Sequence, residues 1–129
     1  MPLHKDVVLD RKSFQNMLED NQGFVIMKFG AIWCEPCKRI ESVVEERFNE
    51  LGKSEHVSCM TIDIDDSFDL YAFLRMKKVV KSIPAILCYV TGNPSVYPDD
   101  LVNTSDNKEV NAFFDRCKDN LLEATQPRK

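Results

Sequence analysis

The chain has 129 residues, 43% of them hydrophobic, and a formal charge of −4 at neutral pH. That length suits one domain spanning 1–129 and is too short for two ordinary ones. The acidic balance and scattered Lys and Arg leave no basic patch for nucleic acid or an anionic surface, and no apolar run approaches the roughly 18 residues of a membrane span.

Met1 to Asp6 lacks the continuous apolar stretch of a signal peptide. Val7-Val8-Leu9 is a short apolar run, expected to form the first strand. Asp10 to Ser13 supply cap residues before Phe14, Met17 and Leu18, which share one helix face, and Asn21-Gln22-Gly23 ends that helix. Phe24 to Phe29 is apolar except at Lys28, as expected of a strand buried on both faces.

Trp33-Cys34-Glu35-Pro36-Cys37-Lys38 follows, at the start of a helical stripe of Ile40, Val43, Val44, Phe48 and Leu51. Two cysteines three residues apart at a helix start can open and close a disulfide with little backbone movement. Helix N-terminal N–H groups favour an anion and so lower the first thiol's pKa. Pro36 suits the first turn, where its missing N–H costs nothing. Helix geometry places Cys37 inward and leaves Cys34 at the exposed tip.

Gly52 is a candidate stop for this helix. A third strand is expected over Val57–Ile64, then a helix capped by Asp65-Asp66-Ser67 and running from Phe68 to about Lys78. Ile83-Pro84 opens an apolar strand ending at Val90, and proline is tolerated at a strand's first residue. Thr91 to Pro94 reads as a turn into a short Ser95-Val96-Tyr97 strand, which would make a hairpin, with Pro98–Thr104 a polar acidic loop. A last helix beginning near Ser105 carries Val110, Phe113, Phe114, Cys117 and Leu121 on one face. The ordered core is expected over about 6–122, with a frayed tail from Ala124. The element order predicts an α/β fold, a mixed sheet of about five strands flanked by four helices on both faces. The cysteine pair then falls at the carboxyl end of a central strand, where open α/β sheets place their sites.

Five cysteines form an odd set, and Cys59, Cys88 and Cys117 show no framework spacing. A reducing, cytoplasmic compartment is the expectation, in which a C-x-x-C serves redox or metal chemistry. No second C-x-x-C or paired histidines complete a zinc site, and His4 and His56 stand alone. Cys59, Cys88 and Cys117 lie on apolar faces and are assigned to the core.

Lys28 to Lys38, the later Ile83-Pro84 and the turn glycine Gly92 together resemble the thioredoxin family, and the element order matches from about Val7 to Leu122. The resemblance implies a thioredoxin fold and a protein thiol–disulfide oxidoreductase using the Cys34–Cys37 dithiol with no bound cofactor or metal. It makes Cys34 the nucleophile and Cys37 the resolving thiol. Trp33, Ile83 and Pro84, the last in a cis peptide, would contact substrate. Partners would be proteins with disulfides and a thioredoxin-reductase-like donor, with the chain itself a monomer.

The sequence departs from the family at several positions. Lys28 stands where a buried carboxylate is usual, Glu35 replaces a glycine between the cysteines, and Ser42 replaces a helix-kinking proline. Pro98–Thr104 has no counterpart of the family's small groove segment. Lys28, Glu35 and Pro36 are therefore read as modulating residues, with Lys28 expected to pair with Asp63 or Asp65. Two competing readings remain: a thioredoxin-fold adapter binding a protein through Pro84 and Pro98–Thr104, and a glutathione-dependent glutaredoxin-type enzyme.

Overall fold

The computed structural model describes residues 3–4 and 7–125, with side chains over 7–123. Strands β1 (Leu3–His4), β2 (Phe24–Gly30), β3 (Val57–Asp63), β4 (Ala85–Val90) and β5 (Asp100–Val102) form one sheet in the order β1-β3-β2-β4-β5. The first three are parallel, whereas β4 and β5 run antiparallel to their neighbours. The helices are α1 (Arg11–Asp20), α2 (Glu35–Leu51), α3 (Phe68–Met76) and α4 (Asn107–Thr125).

Strand alternation divides the interior into two cores. Val25, Met27 and Phe29 of β2 face Phe14 and Leu18 of α1 and Leu70 and Leu74 of α3. Phe24 and Ile26 face Ile40, Val44 and Phe48 of α2 and Val110, Phe113 and Phe114 of α4. Both faces of β2 are thus covered, which is why its sequence is almost continuously apolar. Arg47 of α2 ties the second layer together through an ion pair of 2.7 Å with Asp115 of α4. Gly23 precedes β2 for a steric reason, since a Cβ there would stand 2.0 Å from the His56 carbonyl oxygen.

Several expected boundaries move. Val7–Leu9 is not a strand: pairing to β3 occurs earlier, at Leu3 and His4. Val7 N–H still donates to Thr61 O at 2.9 Å, but Leu9 N–H turns to Ser67 Oγ at 3.0 Å as the chain leaves the sheet for α1. Asp10 caps α1 as expected, accepting from Ser13 N. Ser67, by contrast, gives α3 no side-chain cap, because its hydroxyl serves Leu9.

The hairpin after β4 also differs. Tyr89 donates its hydroxyl to Val96 O at 2.6 Å, and Val96 packs on the first core. Residues 95–97 are thereby folded back and cannot run beside β4. Pairing resumes only after Asp99 N–H reaches Cys88 O, so the second hairpin strand is Asp100–Val102, within the segment expected to be a loop. Gly52 ends α2 with φ −69°, without the left-handed backbone a glycine could adopt there. The expected fray falls partly on 126–129, outside the described residues; α4 itself runs through Thr125.

Candidate active site

β2 ends at Gly30, and residues 31–34 turn the chain into α2. Cys34 N–H donates to Ala31 O at 3.1 Å, and Cys34 is the N-cap of α2. Its sulfur takes the place of the usual capping oxygen, accepting from Cys37 N–H at 3.2 Å. Cys34 and Cys37 are joined as a disulfide with their Cα atoms 5.3 Å apart. The pair sits at the positive end of a 17-residue helix, which favours a thiolate once the bond is reduced.

The two sulfurs are not distinguished by exposure as expected. Cys34 and Cys37 are each only 4% exposed. Capping and the disulfide both turn Cys34 Sγ back over the first helical turn, and the exposed tip is made by Ile32 at 83% and Trp33 at 64%. The Trp33 indole is held in place, donating from Nε1 to Asp65 Oδ2 at 2.8 Å. Pro36 lies in the first turn of α2. Glu35 beside it is exposed and pairs with Lys38 at 3.3 Å, so its charge near the sulfurs is partly offset.

Ile83-Pro84 is a cis peptide bond. Ala85 pairs with Phe29 across β2 and β4, which brings Pro84 beside the end of β2 from which the cysteine loop departs. Pro84 is buried and Ile83 half-buried. Asn103, just past β5, clamps this segment: its amide donates to Pro84 O at 2.8 Å and Ser82 O at 3.0 Å, and its oxygen accepts from Lys81 N at 2.9 Å. The sequence reading missed Asn103. An asparagine in a polar stretch signals a loop, and only the β4–β5 pairing shows which backbone it reaches.

The expected ion pair of Lys28 with Asp63 or Asp65 is absent among the described residues. Asp63 Oδ1 accepts from the Asp65 backbone N–H at 2.8 Å, and Asp65 is occupied by Trp33. Lys28 points instead into a cleft of about 340 Å³ beneath the start of α2, lined by Gly30, Cys37, Glu41, Thr61 and Asp63. Burial lowers its pKa from the ordinary lysine value, and the Glu41 charge partly opposes that shift. Cys59, Cys88 and Cys117 are free and buried in the second core, away from the cleft lining. Among the described residues no cluster of His, Cys, Asp and Glu could hold a metal ion, and no helix is long and apolar enough to cross a membrane.

Comparison with known proteins agrees with this geometry. The profile of the family described as Thioredoxin matches residues 5–116. Chloroplastic thioredoxin M5 of Oryza sativa subsp. japonica is 31% identical over 87 residues, 67% of this chain and 46% of that protein. Thioredoxin of Bacillus subtilis (strain 168) is 35% identical over 74 residues, 57% of this chain and 65% of that one. The chain thus spans about half the length of the Oryza protein it matches. Among solved structures, Trichomonas vaginalis thioredoxin superposes with a TM-score of 0.68 at 19% identity, covering 90% of this chain and 97% of that chain. Plasmodium falciparum thioredoxin gives 0.65 at 22% identity, covering 90% and 98%. Identities this low speak to the fold alone.

Proposed function

The chain belongs to the thioredoxin family, and on that premise we propose that it exchanges disulfides with protein substrates through Cys34 and Cys37. The observation that carries the reading is the disulfide between the N-cap and first turn of α2, at the carboxyl end of the central strand. In the reduced protein the Cys34 thiolate attacks a substrate disulfide. A mixed disulfide forms and one substrate sulfur leaves as a thiolate. Cys37 then attacks Cys34 Sγ, which restores the Cys34–Cys37 bond and releases the second substrate sulfur. The substrate gains two electrons and the protein dithiol loses them.

Trp33, Ile83 and Pro84 form the substrate contact in this reading, with Asp65 and Asn103 holding the first and last of them. Glu35 and Pro36 modulate the pair from the first helical turn. A thioredoxin-reductase-like donor returns the electrons, and no organic cofactor or metal takes part. The protein acts as a cytoplasmic monomer, without nucleic acid or membrane partners. Its relatives by name include chloroplastic and mitochondrial thioredoxins.

The test is a redox titration in glutathione buffers followed by Trp33 fluorescence, together with Cys37→Ser. A reversible two-electron transition between roughly −270 and −120 mV spans thioredoxin to strongly oxidising relatives and supports the reading. Reduced Cys37→Ser should trap substrates as mixed disulfides through Cys34, and the double replacement of both cysteines should trap none. Partner binding that survives the double replacement, with no transition in the wild type, would favour the adapter.

A further inference from the structure

The central strand carries a charge that the exchange described so far does not use. Lys28 follows Phe24 and Ile26 on the face of β2 covered by α2 and α4, and it is only 9% exposed. Among the described residues it forms no ion pair within 4 Å, and the Glu41 charge acts on it only strongly enough to offset part of the effect of burial. A largely buried cation whose counter-charge only partly offsets its desolvation costs stability unless a further anion forms beside it.

Cys37 is the group able to become that anion. A Cβ placed on Gly30 would lie 3.3 Å from Cys37 Sγ and 3.9 Å from Lys28 Cε. The sulfur and the end of the lysine stem therefore both lie within 4 Å of one point over a glycine, which puts no side chain there. Lys28 and Cys37 also line the same cleft, open to solvent beneath α2. The other charged groups facing it are Lys38, Glu41 and Glu45 from α2 and Asp63 from β3.

We propose that Lys28 is the counter-ion of the Cys37 thiolate, a positioning residue that makes Cys37 a faster resolver and the dithiol couple more oxidising. This rests on the dithiol exchange proposed above. Once Cys34 is joined to a substrate sulfur, Cys37 is the lone thiol of the pair. Its proton passes to solvent through the cleft, and the charge stays on the sulfur beside the ammonium. The thiolate attacks Cys34 Sγ, the Cys34–Cys37 bond forms, and the bond from Cys34 to substrate breaks. The substrate sulfur leaves with the electron pair and takes a proton from water. The ion pair disappears when the disulfide closes, because a disulfide sulfur carries no charge. A cation at this place thus stabilises only the reduced form, which raises the potential.

Lys28→Met removes the charge while keeping the stem's bulk, and it should fold, since burial of the charge costs more than the Glu41 charge returns. Lys28→Arg keeps a cation. Two quantities are measured on each protein: the equilibrium with glutathione, and the rate at which a chromogenic aromatic group is released from its mixed disulfide with Cys34. In Lys28→Met the equilibrium should move about tenfold toward the disulfide, or about 30 mV more negative. Release should slow about tenfold near neutral pH and recover at alkaline pH, where the thiol ionises unaided. Lys28→Arg should stay near the wild type in both. An unchanged potential and an unchanged pH profile in Lys28→Met would overturn the proposal. Neither readout uses a protein substrate. If the wild type reduces no protein disulfide while Lys28→Met still moves the potential, the functional reading falls and the counter-ion stands.

Discussion

The amide of Asn103 donates to the carbonyl oxygen of Pro84 at 2.8 Å, which ties the approach to β4 to the far end of β5. The same side chain also holds Lys81 N and Ser82 O, so residues 81–84 depend on one residue from across the sheet. Asn103→Ala leaves these backbone groups to find water in a half-buried setting. We expect a loss of about 1–2 kcal/mol, read from urea unfolding. The KM for a protein disulfide should rise several-fold while the alkylation rate of Cys34 stays as in the wild type. An unchanged KM would show that this segment does not contact substrate.

Ser67 Oγ accepts from Leu9 N–H at 3.0 Å, and Ser67 is 3% exposed. Removing the hydroxyl leaves a buried N–H unpaired, for which about 1–3 kcal/mol is the usual cost. Ser67→Ala should lower stability by that amount and speed amide hydrogen exchange at Leu9. Because Ser67 does not cap α3, exchange within that helix should change little.

The three free cysteines are all buried, and burial pushes the Cys59 thiol up to about 12 from an ordinary 9.0. Cys88 is raised further, first by its hydrogen bond with Cys117 and then by burial. The reduced native protein should therefore react with a thiol reagent only through Cys34 and Cys37, whereas after denaturation all five cysteines react. A raised thiol pKa means that the unfolded chain releases its proton first. This contribution is complete below about 9 and is lost as pH climbs toward about 12. Lys28 acts oppositely: its folded pKa is depressed, so its stability penalty lifts as pH rises toward 10.5. Alkaline unfolding of Lys28→Met should consequently show the steeper fall, measured as the denaturation midpoint against pH.

Much of this is legible along the chain because it depends on local chemistry. The apolar run of β2, the Asp10 cap, the stripe of α2 and the C-x-x-C at its start each follow from residues within one element. They led to the same α/β order that the sheet shows, with the cysteine pair at the end of a central strand. The Ile83-Pro84 pair was recognisable by resemblance to the family rather than from its own spacing.

What the tertiary structure decided is where polar groups separated by tens of residues spend their hydrogen bonds. Asp65 turns its carboxylate to the Trp33 indole and Asp63 turns Oδ1 to the Asp65 N–H, and among the described residues neither forms the ion pair with Lys28 that its strand position suggested. Ser67 likewise looks like a cap until Leu9, 58 positions earlier, claims its oxygen. Tyr89 draws Val96 away from a hairpin that the alternation of residues would allow, and moves the edge strand to Asp100–Val102. The sequence by itself determined the helices, the central strand and the reacting pair, because hydrophobic periodicity and helix-end chemistry are local. Only the folded chain determined the clamp on Pro84 and the cleft that Lys28 shares with Cys37, because competition among distant donors and acceptors is settled in three dimensions.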